Sequence, residues 1–303
     1  MEYVESKSGL NISRMALGCM NLPVEDEIAA EEIIEYALSQ HINFFDTADL
    51  YQFGRNEETI GKILKRYQSR YNFYIGTKVG NEFDRSLQLK TGWNPGRKYI
   101  KAEIKASLRR LGMDHIDLYQ LHGGTIEDDM EDTILAFEEL KSEGLIRSYG
   151  ISSIRPNVID SYYRKSNMDT LMVQLNPLDN RPEEFLEALE GITILARGPL
   201  MQGLFTDRHE YHLKEKFPDG IFNYSQEELS RIFTSLDSHH DDLAAISYKY
   251  LIDKGAVIVN GVSSLEQLEK NMESLKNAAA IDEDELKAAE QLFKKERYEV
   301  HRL

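Results

Sequence analysis

Short apolar runs alternate along this chain with longer segments whose apolar residues recur every three or four positions. The runs Met15 to Leu17, Asn43 to Phe45, Phe73 to Lys78, Ile116 to His122, Ile146 to Ile151, Leu171 to Gln174, Thr193 to Ala196 and Ala256 to Val259 read as buried strands. Each is followed by a helix-period segment, such as Ile33, Ile34, Ala37 and Leu38 after the first, or Ile100, Ile104, Leu108 and Leu111 after the third. Parallel strands need such crossovers, and eight of them in roughly 250 residues is the expected length of a (β/α)8 TIM barrel. A doubly wound sheet is the runner-up, disfavoured because no strand runs into a G-x-G-x-x-G or a P-loop. Residues 3–13 predict an N-terminal β-hairpin turning at Ser8-Gly9, and Asp282 and Glu285 open an extra C-terminal helix. Two stretches break the rhythm and are expected as polar loops: Asn81 to Lys98, which holds the one tryptophan, Trp93, and Phe205 to Asp237. No Pro/Gly-rich linker divides the chain, so the expectation is one domain over residues 1–303.

Composition narrows the class. With 41% hydrophobic and 29% charged residues, the chain can bury a large core. A net charge of −16 argues against nucleic acid or an anionic membrane as partner. The one cysteine, Cys19, cannot make an internal disulfide, and no stretch is long enough to span a bilayer. The opening MEYVESKSGL carries acids where a secretory signal needs a basic start, so a soluble, cytoplasmic protein is expected.

In a barrel of this kind the C-terminal ends of the strands form the active face. Reading off those ends gives Asp46, Lys78 and His122, with Tyr51 on the loop after Asp46. A tyrosine has a free pKa of about 10 and serves as a proton donor at neutral pH when nearby charge makes its anion accessible. A lysine held charged by a carboxylate would do that. The set is an acid catalyst without a nucleophile, and no side chain supplies hydride, so a nicotinamide cofactor is its natural complement. Singly, Asp46 could cap a loop and His122 could be a satisfied buried histidine; Trp93 could be pocket wall or loop anchor. His239-His240-Asp241-Asp242 looks like a metal cluster on paper but opens a helix, and no metal is expected.

The segments ALGCM at 16–20, FFDTADLYQFGRNEETIG at 44–61, IGTKVG at 75–80, IDLYQLHGG at 116–124 and GVSSLEQLEKN at 261–271 resemble the aldo-keto reductase family over nearly the whole chain. The resemblance implies a barrel oxidoreductase passing hydride from NADPH, with NADH less expected, to a small aldehyde or ketone. Tyr51 would be the general acid, Asp46 and Lys78 would tune it, and His122 would orient the carbonyl. Ser152 and Gln174 match positions that bond the nicotinamide carboxamide, and Ser153 stands where an asparagine is commoner. Gln267 and Asn271 match the adenosine end, and Ser263 and Ser264 open the helix that takes the ribose phosphate. Gly18, Cys19, Met20, Gly198, Leu200, Gly203 and Gly261 complete the expected cofactor-contacting set.

Departures from the family pattern bear on the cofactor. Arg197 occupies the place of a tyrosine that stacks on the nicotinamide, and Asn260 that of a proline. Ser263 replaces an arginine that clamps the 2′-phosphate, and Lys270 replaces a glutamate, so Lys270 could restore the lost charge as a poorer clamp. The family's potassium-channel β subunits supply the alternative reading, a cofactor-sensing interaction subunit with little turnover.

Overall fold

The computed structural model describes residues 1–302. Eight parallel strands close into a barrel in chain order: β3 (Met15–Gly18), β4 (Phe44–Asp46), β5 (Tyr74–Val79), β8 (Ile116–Leu121), β9 (Ile146–Ser152), β10 (Thr170–Gln174), β11 (Thr193–Arg197) and β12 (Val257–Gly261). The barrel shuts where β12 pairs with β3, Ile258 opposite Met15 and Gly261 opposite Gly18. Around it run α1 (Glu27–Ser39), α2 (Arg55–Tyr67), α3 (Arg97–Leu111), α4 (Met130–Ser142), α5 (Pro156–Lys165), α6 (Glu183–Leu186), α9 (Leu243–Asp253) and α10 (Leu265–Ala278), with α11 (Glu283–Glu290) last. No helix among the described residues is long and apolar enough to cross a membrane.

The predicted hairpin forms as β1 (Tyr3–Glu5) and β2 (Asn11–Ser13), its turn made by Gly9 at φ 82°. Leu10 and Ile12 from this hairpin join Ala16, Phe44, Leu118, Met172, Leu195, Val257 and Val259 in one buried cluster, the floor and interior of the barrel. The interior is tight: a Cβ on Gly76 would lie 2.6 Å from Phe44 Cζ, so β5 must carry glycine where the Phe44 ring crosses.

Two expected loops are ordered differently. Residues 81–93 form an antiparallel hairpin, β6 (Asn81–Asp84) and β7 (Leu89–Trp93). Their side chains are largely exposed or half-buried, so no alternating core face marked them as strands. Residues 205–237 fold largely into α7 (His209–Lys216) and α8 (Gln226–His239). Here the signal was legible: Ser225 and Glu228 make a capping box, and Leu229, Phe233 and Leu236 bury together with Phe205 and Leu213 in a separate cluster. At α10, Ser264 accepts from Gln267 N as expected, but the Gln267 side chain accepts from Ser263 N rather than from the cap itself.

Candidate active site

Side chains two apart in a strand share a face. Phe44, Leu118, Met172 and Leu195 point into the barrel interior. Two residues further toward the C-terminal mouth, the same faces therefore carry Asp46, Gln120, Gln174 and Arg197, while Lys78 follows Gly76 and His122 follows Gln120. Strand periodicity alone thus places the candidate residues in one ring above the floor.

Lys78 is fully buried, and its Nζ donates to Asp46 Oδ1 at 2.8 Å and Oδ2 at 2.6 Å, to the Thr47 carbonyl at 2.8 Å and to the Tyr51 phenol oxygen at 3.4 Å. Because the lysine donates to that oxygen, the phenol's own O–H is free for another acceptor. Burial works against the ammonium, but Asp46 and then Tyr51 outweigh it, and Lys78 is held above the ordinary lysine value. Burial raises the Asp46 carboxyl, opposed by Lys78. Burial also raises the Tyr51 phenol, a rise that Lys78 limits without reversing. The anion is therefore accessible only as the proton leaves, with the ammonium already in place. His122 extends the β8 ladder by donating its N–H to the Val79 carbonyl at 2.8 Å, and its ring meets Tyr51 edge to face at 5.8 Å. Burial, then Lys78, Arg197 and Lys90, lower His122 to about 3, so the imidazole is neutral across the working range.

A tight turn over Tyr51–Gly54 presents the phenol. Gln52 and Phe53 have φ 43° and 53°, and Gly54 follows at 87°. Such backbone is costly unless its surroundings over-determine it. Here they do: Gln52 Nε2 donates to the Met20 carbonyl at 3.0 Å, and Asn56 Nδ2 donates to Gln52 Oε1 at 2.8 Å. Asn56 is fully buried and also joins Thr47 Oγ1 at 2.6 Å and the Cys19 carbonyl at 2.8 Å. It ties the strand ends of β3 and β4 to the tyrosine turn.

The profile of the Aldo/keto reductase family matches residues 14–294. The chain belongs to the aldo/keto reductase family. It is 44% identical over 302 residues, 97% of each chain, to the uncharacterized oxidoreductase YqkF of Bacillus subtilis. It is 33% identical over 218 residues, 65% of this chain and 66% of the relative, to the NADH-specific methylglyoxal reductase of Escherichia coli. The holo form of aldo-keto reductase AKR11C1 from Bacillus halodurans superposes with a TM-score of 0.92 at 40% identity, covering 100% of both chains. The protein is an NAD(P)H-dependent oxidoreductase.

The reductase sets its remaining candidate residues along the mouth from β9 to α10. Ser152 and Ser153 are nearly buried at the end of β9. The Gln174 amide is fixed on both sides, its Oε1 accepting from Arg197 Nη1 at 2.9 Å and its Nε2 donating to Asp179 at 2.7 Å. Gly198, Leu200 and Gly203 follow on the loop after β11, and Gly18 and Gly261 face each other across the barrel seam. Cys19 is buried with its thiol 3.4 Å from the Leu17 carbonyl, and burial pushes that thiol well up, so it packs rather than reacts; Met20 is 49% exposed. Gln267 Oε1 accepts from Ser263 N at 2.9 Å, Asn271 is nearly buried, and Lys270 lies 3.3 Å from Glu266 and 3.7 Å from Asp207. Hydroxyls, amides and the start of a 14-residue helix suit an uncharged carboxamide at one end and phosphate at the other. The donor set fits an extended nicotinamide dinucleotide.

Trp93 is an anchor: its Nε1 donates to both Asp128 carboxylate oxygens at 3.1 Å, and its ring lies against Gly80. The paper metal cluster is spoken for, His240 by Glu285 at 2.9 Å and Asp242 by the N-terminus of α9.

Asn56, Asp49 and the Asp179–Arg181 pair escaped the sequence reading, although Asn56 and Asp49 lie inside the quoted motif. Asp49 donates its N–H to the Lys78 carbonyl at 3.2 Å, yet both its carboxylate oxygens are buried without a partner among the described residues. Burial first, then Glu57 and Glu103, push its carboxyl well above the usual range. The native state thus holds this proton more tightly than the unfolded chain, whose Asp titrates at about 4. Stability should therefore fall as pH rises from about 4 toward the raised folded value. Asp49→Asn should remove that component, and urea unfolding from pH 4 to 8 should show the variant losing less stability than the parent. Parallel curves would show that Asp49 does not carry the proton.

Proposed function

We propose that this reductase converts the carbonyl of a small aldehyde or ketone to an alcohol using NADPH, with Tyr51 as the proton donor. The observation that carries the reading is Lys78, buried between the Asp46 carboxylate and the Tyr51 phenol, beside a neutral His122 at the barrel mouth. When bound, reduced nicotinamide supplies the hydride that no side chain can deliver. The protein's part is positioning and proton transfer. His122 offers a neutral N–H to the carbonyl oxygen, which fixes its direction without a competing charge. Tyr51 gives its proton to that oxygen as negative charge grows there. Lys78 stabilises the resulting phenolate from 3.4 Å, and Asp46 keeps the lysine charged and aimed. Ser152 and Gln174 orient the carboxamide, and Ser263, Ser264, Gln267 and Asn271 hold the adenosine end.

The preference for NADPH rests on Lys270, the cation beside the start of α10, since Ser263 brings no charge. Lys270 already shares its charge with Glu266 and Asp207 and is exposed, so its contribution is modest. Separate fluorescence titrations with NADPH and NADH test this. NADPH should bind more tightly, and Lys270→Ala should weaken it by about fivefold while leaving NADH unchanged, the size expected of an exposed ion pair. An equal loss for both cofactors, or tighter NADH binding by the parent, would remove Lys270 from that role. Turnover with a methylglyoxal-type dicarbonyl under saturating cofactor checks the reaction itself.

A further inference from the structure

The loop after β10 carries a chain of contacts that ends on Gln174. Asn176 fixes its first turn, Oδ1 accepting from Leu178 N at 3.0 Å and from Asp179 N at 2.8 Å, which returns the fully buried Asp179 side chain to the strand end. Asp179 Oδ2 accepts from Gln174 Nε2 at 2.7 Å and from Arg181 Nη2 at 2.9 Å, while Oδ1 accepts from Arg181 Nε at 2.7 Å. Arg181 in turn packs against two rings, its guanidinium carbon 4.3 Å from the Phe222 centroid and 4.7 Å from that of Tyr298. Ring faces attract a cation but are poor hydrogen-bond acceptors, so the fork stays on the carboxylate. The C-terminal segment that brings Tyr298 is pinned to the same loop, Asn180 donating to the Lys294 carbonyl at 2.9 Å and accepting from Glu296 N at 2.8 Å.

The two ends of a primary amide differ little in shape, so its neighbours decide which way it faces. A carboxylate only accepts, which turns Gln174 Nε2 toward Asp179, and Arg197 Nη1 donates to Oε1 from the other side. One hydrogen of Nε2 meets nothing stronger than the Met201 sulfur at 3.9 Å, and a second lone pair of Oε1 is left for a ligand. We infer that Arg181 is a positioning residue for the cofactor's carboxamide: it pairs with the buried Asp179 carboxylate, which holds the Gln174 amide in one orientation. The inference rests on the reading above that Gln174 bonds that carboxamide. A carboxylate this deeply buried that loses its charged partner is neutralised by a proton. Its O–H can then donate as well as its carbonyl accept, so it no longer demands the amide nitrogen. The bond from the half-buried Arg197 remains, but one contact tethers the amide oxygen without fixing the amide plane. A rotated amide leaves polar groups of the carboxamide unpaired, at a cost of about tenfold in affinity. A ligand without a carboxamide should not feel the change.

Calorimetric titration of the full chain reads this without turnover. Whichever of NADPH and NADH the parent binds more tightly is compared with its pyridine-free counterpart, 2′-phospho-ADP-ribose or ADP-ribose. Arg181→Met should weaken the complete cofactor by about tenfold and leave the truncated one within about twofold of the parent. Arg181→Lys, which keeps a cation beside Asp179, should keep most of the affinity. In a Gln174→Ala background, itself expected to weaken only the complete cofactor, Arg181→Met should add nothing. An equal loss of both ligands in Arg181→Met, an undiminished further loss in the Gln174→Ala background, or parent-like binding by Arg181→Met overturns the inference. Should the methionine variant fold poorly, Asp179→Asn gives the same test without a stranded carboxylate, since an amide there both donates and accepts. Selective weakening of the complete cofactor in that variant supports the inference, and parent-like binding overturns it. Gln174→Ala that binds the complete cofactor as the parent does overturns the carboxamide reading and this inference with it. Selective loss in Gln174→Ala without any in Arg181→Met overturns this inference alone.

Discussion

Tyr51→Phe is expected to lower turnover by about a thousandfold, within the range that a positioned general acid contributes, while cofactor binding stays within twofold of the parent. The variant removes one oxygen. It leaves the ring that meets His122 edge to face, and it leaves Lys78 three of its four acceptors, Asp46 Oδ1, Asp46 Oδ2 and the Thr47 carbonyl. Loss of turnover with intact quenching by NADPH therefore isolates the proton step. The pH profile of the parent gives a second reading. Burial lowers His122 to about 3, and both Tyr51 and Lys78 are raised above their ordinary values, so none of these three ionises between about pH 5 and 9. A flat kcat over that window is expected, with decline only in strong alkali as the phenol and ammonium deprotonate. A step near pH 6.5, or normal turnover in Tyr51→Phe, would place the acid elsewhere.

The second large effect is on stability. Lys78→Met leaves the Asp46 carboxylate buried and unpaired, which should cost about 3–5 kcal/mol as well as abolishing turnover. Adding Asp46→Asn removes the stranded charge, so the double variant should regain most of that stability and none of the activity. Urea denaturation of the parent, both single variants and the double gives the coupling directly. Additive losses would mean that the pair is not a unit. The contrast with exposed pairs such as Lys287–Glu283 is one of solvent: the same charges in water contribute little.

These two effects arise from residues legible at once in the chain, whereas those that hold them in place were not. Asp46, Lys78 and His122 stand at the ends of apolar runs, and a run that ends in a charge is conspicuous because burying charge is expensive. By position Asn56 is an ordinary first-turn residue of α2, and its joining of Thr47, Gln52 and Cys19 depends on where β3 and β4 lie relative to that helix. Asp179 and Arg181 are two apart in a loop, and nothing in that spacing sets them apart from ordinary surface charges. Only the Gln174 amide donating to Asp179 joins the pair to the end of β10.

What the amino-acid order determined by itself is the barrel and the ring of chemistry on it, because strand parity and strand ends are local properties that follow from a period of two. The hairpin at 81–93 and the turn that lifts Tyr51 were decided by tertiary structure alone. Each depends on a partner distant along the chain: Phe83 packs on Phe53, and the Met20 carbonyl receives Gln52. Such pairings are settled by distance in three dimensions, and spacing along the chain carries no record of them.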